Sequence, residues 1–90
     1  MGFRFLNIFH EGLMPKLPVI SGKKLLKCFL RHENYRLVHQ HGSHVILLDE
    51  KINKKSTIPV HQNKDLPKGT LKSILGDFDL SVEDLLKIIE

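Results

Sequence analysis

The sequence predicts an α+β domain in which a helix, a three-stranded antiparallel sheet and a second helix follow in order, with a short helix at the C-terminal end. Three observations carry that expectation. Apolar residues recur at spacings of three and four both before and after the middle of the chain, as a buried helix face requires. Between them lie three short runs rich in apolar and β-branched residues, separated by small polar turns. No repeat, low-complexity tract or linker interrupts the 90 residues, which suffice for one domain with a modest core. A thin two-layer fold that meets a large substrate across its surface suits this size better than a deep cleft.

Residues 1 to 13 are mildly apolar. Their longest uncharged run, Phe5 to Phe9, is too short for a membrane span or a signal sequence. They are expected as a leader, either a loose tail or an extension from an upstream start, ahead of a domain covering residues 14 to 90. Docking of Phe3, Leu6, Ile8 and Phe9 as an amphipathic segment is the alternative. Ser21 is a good N-cap, and Leu25, Leu26, Phe29 and Leu30 make one apolar face, so a helix is expected over residues 22 to 33. Asn34 is then placed to take the left-handed position that closes it.

Strands are expected over Tyr35 to Gln40, Ser43 to Asp49 and Ser56 to His61, with Glu50 to Lys55 as a hairpin loop. Pro59 has no amide hydrogen for a ladder, which makes the third strand an edge strand or bulged there. In the second strand Val45 and Leu47 have one parity and Ile46 and Leu48 the other. Periodicity therefore does not say which face is core, nor which way His44 points. After a polar, basic loop from Gln62 to Lys68, the residues Leu71, Ile74 and Leu75 predict a helix over Thr70 to Leu75 that ends at Gly76. Ser81 and Asp84 have the spacing of a capping box, and Leu80 and Leu85 that of a hydrophobic staple, which start a final helix reaching Ile89.

The net charge of +4 conceals an asymmetry. Residues 1 to 76 carry thirteen Lys or Arg against five Asp or Glu, a net +8, whereas residues 77 to 90 carry five acidic residues against Lys87, a net −4. A basic body that neutralises phosphates attracts nucleic acid through counterion release without reading sequence, although a solvated basic surface needs no such partner. The single cysteine, Cys28, excludes an internal disulfide and a Cys-based metal cage, which fits a reducing cytoplasm.

The stretch Gln40, His41, Gly42, Ser43, His44 joins the first two strands. Gly42 tolerates backbone angles that a Cβ disfavours, as a tight connection needs. An imidazole at position 44 titrates near neutral pH and is suited to proton transfer, although a histidine in such a place needs no function. Four stretches in this order, Leu17-Pro18-Val19-Ile20-Ser21-Gly22, Gly42-Ser43-His44, Ile58-Pro59-Val60-His61 and Leu66-Pro67-Lys68-Gly69-Thr70-Leu71, resemble the HicA-type, YcfA-like family of RNA-cleaving toxins from toxin–antitoxin pairs. The resemblance spans residues 15 to 86, and it is the ordered set that is specific rather than any one stretch. Asn34, where many relatives would place Gly, and the leader depart from the common pattern; neither touches the proposed active site.

The resemblance implies a double-stranded-RNA-binding-like fold, the layout that the element order also has. It further implies a metal-independent endoribonuclease, an mRNA interferase, in which His44 is the active-site histidine and needs no cofactor. A HicB-type antitoxin that covers His44 is the implied protein partner, RNA the implied substrate, the cytoplasm the location, and a monomer the expected free form. Lys23, Lys24, Gly42, Ser43, Lys64, Lys68, Thr70 and Lys72 are the candidate RNA contacts. Gly42 also serves the turn, Ser43 is as well suited to a turn hydrogen bond, and Gly69 and Thr70 offer backbone donors at a helix start.

The group that protonates the leaving oxygen is not identified; His61, His41 and a lysine are candidates in that order. Ser43 lacks the flanking glycines of a hydrolase elbow and is no acyl-transfer nucleophile. A zinc site from His39, His41 and His61 lacks a completing carboxylate or Cys at ligand-like spacing. Two other readings share these residues: a catalytically silent RNA-binding domain on the same scaffold, and a partner module whose acidic tail and basic body make protein contacts only.

Overall fold

The computed structural model describes residues 15 to 90, so the leader and the expectations placed on it lie outside the described residues. The elements are α1 (Gly22–Leu30), β1 (Tyr35–His41), β2 (His44–Asp49), β3 (Lys54–Pro59), α2 (Lys68–Asp77) and α3 (Val82–Ile89). The strands form one antiparallel sheet in the order β1-β2-β3, which makes β3 the edge that Pro59 requires. This is the α+β arrangement of the double-stranded-RNA-binding-like fold.

Local chemistry explains where each helix starts. The Ser21 hydroxyl accepts from the Lys24 amide at 3.1 Å, which satisfies one of the donors left free in the first turn of α1. Ser81 and Asp84 form the reciprocal capping box at 2.9 and 3.0 Å. Accepting the Ser81 amide, then the Ser81 hydroxyl, holds the Asp84 carboxyl below its ordinary range. Helix α2 begins directly after Pro67, two residues earlier than the apolar pattern suggested, with the Leu71 amide bonded to the Pro67 carbonyl at 3.0 Å.

The helix ends differ from the sequence-based expectation, each for a visible reason. Helix α1 stops at Leu30 rather than residue 33, because the amides of Arg31 and His32 turn back to Cys28 and Phe29 in tight three-residue steps. Asn34 does not take a left-handed conformation. Its side-chain amide instead donates to the buried Asp49 at 2.9 Å, tying the start of the sheet to the end of β2. Helix α2 runs through Gly76 and closes at Asp79, whose φ is +54°. There the Asp79 and Leu80 amides reach back to the Gly76 and Leu75 carbonyls at 3.2 and 2.8 Å, a Schellman closure with Asp where Gly is commoner.

The strands shift as well: β3 covers Lys54–Pro59 and leaves His61 beyond its end, and β1 extends to His41. Asn53, with φ +56°, carries the chain from β2 to β3.

The helices cover one face of the sheet. Leu47 and Ile58 from the strands are fully buried there against Leu25, Phe29, Leu71, Ile74, Phe78 and Leu85, and Val45, paired with Ile58, is fully buried as well. Phe29, Tyr35 and Phe78 form a ring cluster with centroids 4.6 to 5.5 Å apart in tilted and edge-on arrangements, the orientations that aromatic quadrupoles favour. Burial, reinforced by the Asp49 charge, pushes the Tyr35 hydroxyl up to about 12, so it stays neutral in this cluster. Ser56, buried in β3, donates to Asp77 at 2.7 Å and anchors the end of α2 to the sheet. Helix α3 lies against α1, where the Arg31 guanidinium donates to the carbonyls of Ile88, Ile89 and Glu90 at 3.0 to 3.3 Å. A cation on the final carbonyls of a helix also complements its dipole.

Helix α1 and β3 pack backbone against backbone at Gly22. A Cβ built on Gly22 overlaps the Pro59 carbonyl oxygen, so the backbones of the two elements touch directly. Gly22→Ala should therefore destabilise the fold by about 1–3 kcal/mol, the range for overpacking against an unyielding neighbour. Gly76→Ala, with open space around it in α2, should stabilise by about 0.5–1 kcal/mol. Urea unfolding of the two variants measures both.

Ser81→Ala should cost about 1 kcal/mol at neutral pH through the lost cap. Because the folded-state pKa of Asp84 is depressed, its share of the cap is present at and above the ordinary Asp range. That share should be lost as pH falls through the lowered value, which the Ser81→Ala difference followed by acid titration will show.

Candidate functional site

The first two strands meet in a two-residue turn, with His41 and His44 paired across it. Gly42 sits at its first position with φ +62°, while Ser43 has no positive φ. That combination is a type II′ hairpin, whose twist matches antiparallel strands and which favours glycine at the first position. The Gln40 side chain donates to the Gly42 carbonyl at 3.1 Å, and the Ser43 carbonyl accepts from the Val60 amide at 2.7 Å. Ser43 is thus half-buried and held by its backbone to the segment after β3.

Parity in β2 is resolved by the helices: Val45, Leu47 and Asp49 face them, and His44, Ile46 and Leu48 face the other side. Among the described residues no helix lies on the His44 side, and His44 is exposed. The register of β1 slips by one residue between Leu37 and His39. This bulge turns the second half of β1 over, because each side chain alternates across a strand. Tyr35 at its start faces the core with Asp49, yet past the bulge Gln40 pairs with the buried Val45, while His39 pairs with Ile46 and His41 with His44. Three imidazoles therefore share the face opposite the described helices. His39 and His41 are stacked, their ring centroids 6.5 Å apart and their planes 17° from parallel. The rest of this face carries Arg36, paired with Glu50 at 3.1 Å, and Lys55 and Thr57 on β3, opposite Leu48 and Ile46.

The cations gather around the same end of the sheet. Gly22 abuts the last residue of β3, Ser21 forms a bridge with Asp65, and the Leu66 amide donates to the Ile20 carbonyl at 2.9 Å. The first turn of α1 and the chain leading into α2 are thereby held beside the strand that flanks His44. Lys23, Lys24, Lys64 and Lys68 come from these segments, Lys72 from one turn further along α2, and all five are exposed. Lys64 lies in the loop before α2, and Lys68 and Lys72 lie one turn apart on the helix itself. Thr70 is half-buried in the first turn of α2 and its neighbour Gly69 is exposed.

An open groove of about 590 Å³ runs along this end, lined by Lys23, Leu26, Gln40, Val45, Val60, Gln62 and Asn63. Its three amide side chains, from Gln40, Gln62 and Asn63, are absent from the sequence-based candidates. Gln62 has φ +52°, an uncommon conformation for that residue, which turns the chain at the groove's rim. Consecutive amides after a strand were the available signal. Among the described residues no group of three His, Cys, Asp or Glu side chains converges to hold a metal, and His61 does not complete a set with His39 and His41. Among those residues, too, no helix is long and apolar enough to cross a membrane.

Open space surrounds Gly42, so replacing it costs backbone strain rather than a clash. Gly42→Ala should lower stability by about 1–2 kcal/mol and Gly42→Asn by less, since Asn tolerates positive φ. Thermal unfolding of the two variants checks the order.

The family described as HicA toxin of bacterial toxin–antitoxin matches residues 22–80, which hold α1, the whole sheet and α2. That span is shorter at both ends than the stretch of resemblance, residues 15 to 86. No curated protein matches the chain, and no solved structure matches it. The match extends over well over half of the chain and takes in the Gly42-Ser43-His44 turn with the strands on either side. The chain belongs to the HicA toxin family of bacterial toxin–antitoxin systems.

Proposed function

We propose that this toxin is a metal-independent endoribonuclease that cleaves messenger RNA in the cytoplasm, with His44 as its general base. The observation that carries the reading is the exposed His44 imidazole on the sheet face that no described helix covers, next to the end of β3 against which the first turn of α1 packs. A neutral imidazole there takes the proton from a ribose 2′-hydroxyl as that oxygen attacks the adjacent phosphate, and the products are a cyclic phosphate and a free 5′-hydroxyl. Proton transfer of this kind is worth on the order of a hundred to ten thousandfold in rate and calls for no metal.

Charge building on the phosphate oxygens is offset by cations, for which Lys23, Lys24, Lys64, Lys68 and Lys72 are the candidates. Gly42, Ser43 and Thr70 offer backbone or hydroxyl contacts to the RNA. A HicB-type antitoxin silences the toxin by covering the face that bears His44, which would shut out RNA whatever the state of the imidazole.

Purified protein incubated with single-stranded RNA tests this directly. His44→Ala should reduce cleavage by at least about a hundredfold while RNA binding at low salt stays near wild type, and chelation by EDTA should leave the wild-type rate unchanged. Equal cleavage by His44→Ala would remove His44 from its role. RNA binding without any wild-type cleavage would favour a silent RNA-binding domain, and no binding a module for protein contacts alone.

A further inference from the structure

We propose that His41 is the general acid of the same reaction, protonating the leaving oxygen while His44 deprotonates the attacking one. The assignment rests on the reading of His44 just given. A phosphodiester cleaved by its neighbouring 2′-hydroxyl needs both transfers, because an unprotonated 5′-alkoxide is a poor leaving group. The attacking and leaving oxygens lie on opposite sides of phosphorus. Base and acid therefore have to reach the phosphate from two sides, which one side chain cannot do at once.

The hairpin supplies such a pair. His41 and His44 close the two-residue turn as directly opposed residues, one on each strand. Opposed residues of an antiparallel pair hold their Cβ atoms about 4.5–5.5 Å apart, a spacing that lets two imidazoles flank a phosphate seated over the turn. Both residues are exposed, and the bulge past Leu37 is what brings His41 to the side of His44. The other neighbour of His44, Pro59 on β3, has no proton to give. His61 lies past the end of β3, two residues beyond that proline. Among the described residues the titratable and charged groups on this face are His39 and Arg36 from β1, Arg36 being paired with Glu50, and Lys55 from β3, opposite Leu48. Of these His39 alone adjoins His41, against which it stacks on the side away from the turn. The described helices pack on the opposite face.

In the step itself the O2′ proton passes to His44 and the O2′–P bond forms. The P–O5′ bond breaks, and O5′ takes the proton of the His41 imidazolium. The 2′,3′-cyclic phosphate and the 5′-hydroxyl leave with the two imidazoles in exchanged protonation states, which water restores. The pH profile of kcat/KM should accordingly be bell-shaped, its acid limb reporting His44 and its basic limb His41.

The test uses an RNA oligonucleotide whose cleaved bond carries either the natural 5′-oxygen or a 5′-bridging sulfur, which departs without protonation. His41→Ala should fall by about a hundredfold on the oxygen substrate, lose the basic limb of its profile, and return to near the wild-type rate on the sulfur substrate. His44→Ala should stay slow on both. Recovery on sulfur also proves the His41 variant folded and able to bind RNA. The assignment is overturned if His41→Ala keeps the wild-type rate on oxygen, if its defect persists on sulfur, or if His61→Ala shows the rescue instead. Wild-type-like cleavage by His44→Ala would instead overturn the underlying reading of the active site.

Discussion

The direct backbone contact between Gly22 and the Pro59 carbonyl is the constraint on which the arrangement of this toxin depends. No side chain stands between the first turn of α1 and the last residue of β3, so the helix starts flush against the sheet's end. The neighbouring hydrogen bond from Leu66 to Ile20 and the bridge between Ser21 and Asp65 follow from that approach, because they need the chain before α1 and the chain before α2 to run side by side. A small domain has little apolar area with which to enforce such geometry. Here a missing Cβ enforces it, and the basic starts of two helices consequently share one end with the β1–β2 turn.

The sheet divides the labour between its faces. One face, through Tyr35, Leu47 and Ile58, meets the aromatic and aliphatic residues of the helices and supplies the core. The other has no described helix over it and exposes three histidines beside the half-buried Ile46 and Leu48. A single extra residue in β1 makes this division possible. Without the slip past Leu37, His39 and His41 would have the parity of Tyr35 and point toward the helices. The bulge thus lets one strand begin as a core strand and finish as part of an exposed polar surface.

Helix α3 falls outside the span matched by the family, yet Leu85 is fully buried in the common core. Its attachment is mostly to α1: Arg31 binds the last carbonyls, and Cys28 and His32 lie within reach of the same turn. The acidic C-terminal stretch is therefore carried beside the far end of α1, away from the lysines of its first turn. The acidic C-terminal residues and the first-turn lysines Lys23 and Lys24 thus lie toward different ends of α1, with Asp65, in its backbone bridge with Ser21, at the lysine end.

Features set by neighbours along the chain were legible beforehand. The Ser21 cap, the Ser81–Asp84 capping box and the edge position of Pro59 each depend on hydrogen-bonding groups within a few residues, and all three are present. The helix ends were less so. Gly76 marked a stop that Asp79 makes instead, and Asn34 exchanged its expected backbone role for a side-chain bond to Asp49, a residue fifteen positions away. The Gln40, Gln62 and Asn63 groove went unseen because its amides are brought together only when β1 and the segment after β3 meet across β2.

By itself the sequence determined the α+β element order, the turn at Gly42-Ser43 and a histidine beside it, since caps, turns and apolar spacing are read over a few residues. The tertiary structure decided which side of the sheet His44 occupies and that His41 stands opposite it. With both parities of β2 apolar, only the docking of the helices could choose the buried face, and a bulge of one residue, which leaves no mark in the pattern of β1, chose the rest.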